Sequence, residues 1–347
     1  MKKRRVCDRQ LWLLAALSLA VFLLTFAVGR YAVRVDKTVC ILLDSALRKL
    51  SRGAWGLAQL WTDTEATIVL NVRLPRILAA ALVGAALSTA GVCYQGMFRN
   101  PMVSPDLLGA STGAGFGAAL AILCAAGYLA ITLSAFFFGL AAVLLAYLIS
   151  RKSRLEEALS MVLAGMMISS LFTAGTSFIK LVADTDNQLP AITYWLMGSL
   201  TSVRAQDVRF AALPILIGLI PLLLLRWRIN LLTLSDAEAR SMGVDTRRLR
   251  LVVIVCATLM TAASVAISGM IGWVGLVIPH FCRILFGYDY RRLLPGCVML
   301  GASFLMVVDT LARTLTTSEI PLGILTSFVG APVFLYLILK GGADRAD

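Results

Sequence analysis

Charge is scarce in this chain. Only 15% of its 347 residues are Asp, Glu, Lys or Arg, where a soluble domain has nearer 25%, and 59% are hydrophobic. Histidine occurs once, as His280, which excludes an enzyme centre built on converging imidazoles. The seven cysteines (Cys7, Cys40, Cys93, Cys124, Cys256, Cys282, Cys297) are scattered through mostly apolar segments without a C-x-x-C pair. They read as small core residues rather than a metal or disulfide framework. No G-x-x-x-x-G-K-[ST] loop is present, so the chain does not bind ATP in that way. Alternating ten-residue segments are also missing, which removes a membrane β-barrel. Nor is there room for a soluble catalytic domain: the longest polar segment on the side carrying the termini, Ile229 to Arg250, has 22 residues.

What is present comes in long apolar blocks. Leu11 to Val28 and Leu78 to Phe98 carry no charge, and Leu107 to Ser150 is uncharged over a length that suits two membrane crossings of roughly 20 residues each. Backbone in lipid must satisfy its own hydrogen bonds, so these blocks are expected to be helices. Ten spans are predicted, near 11–32, 74–96, 107–126, 128–150, 157–182, 207–227, 251–269, 272–286, 294–313 and 322–339, forming one transmembrane domain over residues 1–347. Met1 to Arg5 followed by an apolar run resembles a leader. That run is long, however, and no small-x-small site precedes Arg30, so a retained first helix is expected. The polar stretch Arg34 to Val72 is expected to hold a short surface helix. The segment Ala191 to Leu200 is too short to cross and reads as re-entrant or interfacial.

An even number of spans puts both termini on one side. Twenty of the 32 Lys and Arg fall on that side, against 12 on the other, which predicts cytoplasmic termini in the inner membrane. The net charge of +13 is thereby explained by topology, and no nucleic-acid partner is needed.

Three patches exceed what membrane filling requires. The first runs from Arg73-Leu74-Pro75-Arg76 through Gly84 and Gly91 to Gln95-Gly96-Met97-Phe98-Arg99-Asn100-Pro101, then Ser104-Pro105-Asp106. Two arginines three apart share one helix face, and Gly109, Gly113, Gly115 and Gly117 allow close helix packing. The second is Leu234 to Asp245. Ser235 with Glu238 three residues on has the spacing of a capping box, and Gly243 is a natural stop, so a short helix is expected at the surface. The third comprises Gly272 to His280 and Glu319 to Pro332, where glycine and proline interrupt apolar spans as they do along transport routes.

These patches, in this order, resemble the FecCD-type ABC importer permeases, which take up iron–siderophores, haem and vitamin B12; the similarity covers nearly the whole chain after residue 60. The resemblance implies an all-α membrane protein with the type II importer fold and an inverted relation between spans two to five and seven to ten. It implies a second permease copy (homodimer or close heterodimer), two cytoplasmic ATPase subunits that bind ATP and Mg, and an extracytoplasmic substrate-binding protein. By the same resemblance Arg73, Arg76 and Arg313 dock carboxylates of that binding protein. The helix with Ser235, Asp236, Glu238, Ala239, Arg240 and Gly243 transmits motion from the ATPase. Ser150, Arg151 and Ser153 are inner-gate candidates, and Asp184, Asp186 and Trp195 belong to the outer gate region. Asp309, four residues before Arg313, is placed to pair with it. No cofactor or metal is expected on this chain, and His280 reads as structural.

The alternatives are less well supplied. A secondary transporter driven by an ion gradient needs acidic residues at mid-span, and by this placement Asp309 and Lys180 lie toward helix ends. A membrane-embedded enzyme lacks its ligands or nucleophile–base pair. A channel leaves the Leu234–Asp245 helix without a purpose.

Overall fold

The computed structural model describes residues 2–29, 31, 33–50, 60–154 and 156–343, and all regular structure among them is helical. In chain order the helices are α1 (Lys2–Ala27), α2 (Val35–Leu50), α3 (Asp63–Thr67), α4 (Leu74–Met97), α5 (Ala110–Leu123), α6 (Tyr128–Lys152), α7 (Glu157–Val182) and α8 (Gln188–Leu196). They continue with α9 (Ala205–Leu224), α10 (Arg226–Leu232), α11 (Asp236–Ser241), α12 (Thr246–Ser268), α13 (Val274–Phe286), α14 (Tyr290–Thr314) and α15 (Leu322–Ala343).

Seven of the ten predicted spans lie on helices long and apolar enough to cross a membrane. The other three lie on shorter apolar helices, Ala110–Leu123, Val274–Phe286 and Leu322–Tyr336. Within the third predicted span, near 107–126, the α-helix itself covers Ala110–Leu123. Pro105–Leu108 forms a separate 3-10 turn, and Gly109 at φ +87° breaks the chain before α5 begins. Likewise the helix under the sixth predicted span ends at Leu224, and the charged Arg226-Trp227-Arg228 stretch opens a separate helix, α10. The second span extends backward: α3, a π turn over Ile68–Arg73 and α4 are continuous, and the π turn sits just before Pro75, which cannot donate a backbone bond. The expected surface helix in the 34–72 stretch is α2, tied to α3 by Lys37 Nζ donating to Glu65 Oε1 at 2.8 Å. The side chains of Lys2 to Arg5, Lys49, Arg52, Lys340 and Arg345, which entered the charge count, lie outside the described residues.

The core is built around α4 and α12, whose apolar windows are 83% and 78% buried, against 17% for α1 and 33% for α6 and α7. A central helix among other helices has no lipid face, so small residues dominate its surface. A Cβ on Gly91 would lie 1.9 Å from the Gly275 carbonyl oxygen, and one on Gly84 would lie 2.2 Å from that of Gly301. Only bare backbone fits such contacts. Ser88 Oγ donates to the Cys297 carbonyl at 2.8 Å and Tyr290 Oη to that of Val92 at 2.9 Å, so α4 and α14 run antiparallel along their whole length.

Helices α4 to α7 and α12 to α15 repeat one order: long, short, long, long. Contacts repeat too. As α4 packs on α14 and α13, α12 packs on α6 and α5, and α4 meets α12 at the centre. Helix α4 runs from the Arg76 end toward Tyr290, whereas α12 starts beside Glu157 and finishes where the Ser268 carbonyl accepts from Ser199 N–H at 2.7 Å. The two halves thus stand in opposite directions, the inverted relation that the resemblance implied.

Candidate functional site

Sites gather at the two ends of the bundle. At one end, the three predicted arginines converge. Arg73, Arg76 and Arg313 are all buried, and a Cβ on Gly29 would touch both Arg73 and Arg313. Arg73 donates to the carbonyls of Phe26 and Tyr31, and Arg313 Nη2 donates to the Thr25 carbonyl at 2.6 Å. Thr25 and Phe26 lie in the last turn of α1, whose carbonyls have no partner within the helix and form its negative end. Two of the three arginines therefore cap α1.

Arg76 is different. Its Nε and Nη2 reach Asp309 at 2.8 to 3.0 Å, while Nη1 donates to Glu319 Oε1 at 2.9 Å. The Asp309 side chain is 1% exposed and the Glu319 side chain 23%. Asp309 thus gives itself first to Arg76, not to Arg313 four residues on, whose Nε stands 4.0 Å away. The i,i+4 rule found a real neighbour but not the closer partner, which is 233 residues distant in sequence. Glu319 Oε2 accepts from Thr201 Oγ1 at 2.6 Å, which ties the cluster to the loop between α8 and α9. A cavity of about 210 Å³, lined by Gly29, Tyr31, Arg76 and Glu319 among others, opens beside it.

The outer-gate candidates lie at the same end. Asp184 accepts from Asn187 N–H at 2.9 Å and turns the chain into α8; the N–H bonds of Asn187 and Asp186 hold its carboxyl below the usual range. Asp186 is exposed. Trp195 is half-buried and, with Asp184 and Tyr128, lines a cavity of about 650 Å³. Nearby, Leu322 N–H donates to the Gly198 carbonyl at 2.8 Å and Gly323 N–H to that of Met197 at 3.0 Å, fixing α15 to the end of α8. A second cavity, about 610 Å³, is lined by Leu196, Met197, Met270, Gly272, Gly323, Ile324, Ser327 and Phe328 and carries no charged side chain. The two parts of the third sequence patch meet beside it: Trp273, at φ +70°, packs on Gly330 and on the Phe334 ring, with centroids 6.2 Å apart.

At the opposite end stands the predicted short helix, α11. Glu238 N–H donates to Ser235 Oγ at 3.3 Å and Ser235 N–H to Glu238 Oε2 at 2.9 Å, a complete capping box. At its other terminus Gly243, φ +77°, donates to the Arg240 carbonyl, and Val244 donates to that of Ala239. That pair of bonds is a Schellman stop. Ala239 is fully buried, Arg240 is exposed, and the Asp236 side chain lies outside the described residues. Two bonded termini make a rigid unit from six residues.

Behind α11, α10 anchors to α14. Asn230 Nδ2 donates to Asp289 Oδ1 at 3.1 Å, and Asn230 Oδ1 accepts from Tyr290 N–H at 2.9 Å. The same helix α14 carries Asp309 at its far end, so one rod joins both sites. Asn230 and Glu319 had no signal in the sequence beyond polarity at a span edge. The inner-gate candidates form a stacked turn: Ser150 Oγ donates to the Tyr147 carbonyl at 2.8 Å, Ser153 N–H to that of Ser150 at 3.2 Å, and Arg151 lies 5.9 Å from the Tyr147 ring centroid. Ser160 Oγ donates to the Ser150 carbonyl at 3.1 Å, joining α6 to α7.

Known proteins match over most of the chain. The sequence model of the FecCD transport family matches residues 16–340. The molybdate import system permease protein MolB of Haemophilus influenzae is 38% identical over 325 residues, 93% of this chain and 94% of MolB. The hemin transport system permease protein HmuU of Yersinia pestis is 39% identical over 319 residues, 88% of this chain and 95% of HmuU. A solved metal-chelate type ABC transporter in an inward-facing conformation superposes with a TM-score of 0.85 at 37% identity, covering 96% of this chain and 99% of that one.

Proposed function

Because this chain belongs to the FecCD transport family and is an ABC importer permease, we propose that it carries a metal chelate of the iron–siderophore or haem kind, or a related complex such as cobalamin, into the cytoplasm. The observation that carries the cargo class is the uncharged lining of the 610 Å³ cavity between α8 and α15. A metal wrapped in an organic ligand presents apolar surface to such walls, whereas a bare ion would lose its water without compensation. A small oxyanion is the second reading, favoured by the molybdate-importing relative.

In this reading both termini and α11 face the cytoplasm, in the inner membrane. Two ATPase subunits bind ATP and Mg there and grip α11, whose capped ends suit it to pass force without fraying. The substrate-binding protein docks at the opposite end, with the arginine cluster meeting its carboxylates, since the planar guanidinium fork suits that ligand. A second permease copy lies against the exposed apolar faces of α7 and α15, which carry Met167, Leu171, Phe178 and Phe328. The Ser150–Ser153 turn and the α8 region are the inner and outer gates.

The test is uptake into proteoliposomes holding the chain and its ATPase, offered a ferric siderophore, haemin, cobalamin and molybdate in turn. ATP-dependent entry of a chelate, unaffected by excess molybdate, is the expected result. Entry of molybdate alone would replace the chelate reading with the oxyanion one.

A further inference from the structure

The cluster around Arg76 already contains the kind of ligand that a docking partner would bring. Of its two carboxylates, Asp309 is sealed in the interior and held by two guanidinium nitrogens. Glu319 is held by one nitrogen, sits at the rim with its side chain 23% exposed, and borders a cavity of about 210 Å³ that can admit a carboxylate side chain. Arg73 and Arg313 are engaged with carbonyls at the end of α1, so Arg76 Nη1 is the guanidinium position whose acidic partner can be exchanged. Three arginines against Asp309 and Glu319 leave the cluster at a formal +1, and withdrawal of Glu319 raises it to +2, which favours an acidic visitor.

Glu319 also holds something else. Its Oε2, which Arg76 Nη1 also reaches at 2.9 Å, accepts from Thr201, and it lies two residues before Pro321, where α15 is pinned to α8 through Leu322 and Gly323. Displacing it removes one tie between the arginine cluster and the helices lining the 610 Å³ cavity.

Building on the docking reading above, we propose that Glu319 is an internal stand-in for a carboxylate of the docking protein. It occupies Arg76 in the undocked permease and is displaced when an acidic side chain of the binding protein enters, releasing the loop from Thr201 and the start of α15. Exchange of one carboxylate for another makes docking nearly neutral in charge pairing. The energetic consequence is a lower affinity than an empty site would give, because the binding-competent state is only part of the population.

The experiment measures the affinity of the purified cognate substrate-binding protein for the full permease–ATPase complex in nanodiscs, with wild type, Glu319→Gln and Thr201→Ala. Glu319→Gln should tighten binding roughly tenfold and Thr201→Ala by roughly threefold, because each weakens the internal competitor. An unchanged or weaker affinity in Glu319→Gln, while wild type binds, overturns the stand-in and leaves docking at this end intact. Failure of wild type to bind at all overturns the docking reading and the stand-in with it. Thr201→Ala leaves the Arg76–Glu319 pair in place, so it reports even where Glu319→Gln folds poorly.

Discussion

At the scale of residues, burial decides which member of the Arg76 cluster matters for folding. Removing one partner of a buried pair strands the other charge. Asp309→Asn should therefore cost about 3–5 kcal/mol, whereas Glu319→Gln, at the rim, should cost about 1 kcal/mol or less. Thermal unfolding of the purified protein in detergent checks the order, and an Asp309→Asn protein as stable as wild type would contradict it. Glycines divide in the same way. Gly91→Ala pushes a methyl into the Gly275 carbonyl and should be destabilising by about 1–3 kcal/mol or more. Gly127→Ala meets open space at φ −69° and should be silent. Equal expression and melting of the two variants would show that α4 and α13 do not pack so closely.

At the scale of elements, α11 carries the clearest prediction. The Glu238 carboxyl is held below its ordinary value of 4.5, first by the Ser235 hydroxyl and then by the Ser235 N–H. Its folded value lies below the unfolded one, so the capping box is complete above that ordinary value and is lost as pH falls through the folded value. The ratio of transport to ATP hydrolysis should then be independent of Glu238 titration between about pH 8 and about pH 5. Ser235→Ala, which removes the cap at all pH values, should lower that ratio by roughly fivefold, the equilibrium factor of one helix cap. This helix was legible in the sequence because its signals are local: Ser, Glu three on, then Gly. Helices α6 and α7 were legible for the same reason, their apolar runs being bounded by Gly127, Lys152 and Glu157. Helices α5 and α13 start three and two residues after their apolar runs begin at 107 and 272, because hydropathy does not register the backbone breaks at Gly109 and at Trp273. The pairing of Arg76 with Asp309 and Glu319 was not legible, since residues 233 and 243 positions apart are joined only by the fold.

At the scale of the whole molecule, two antiparallel halves meet at α4 and α12, and α14 runs between the two functional ends. It begins at Asp289 and Tyr290, which hold α10 beside α11, and it ends at Asp309, which holds Arg76. Packed helices are stiff, so the proposed shift at α11 and the proposed change of partner at Arg76 would bias one element rather than two. In the proposed mechanism cargo movement is driven by a partner's ATP hydrolysis through α11. The most direct measurement is uptake of a labelled ferric chelate by proteoliposomes containing the chain and its ATPase, comparing wild type with Glu238→Pro. Uptake that requires ATP, and that Glu238→Pro abolishes while the protein stays folded and ATP hydrolysis continues, is the predicted result. Uptake that proceeds without the ATPase and follows an imposed proton or sodium gradient would contradict it.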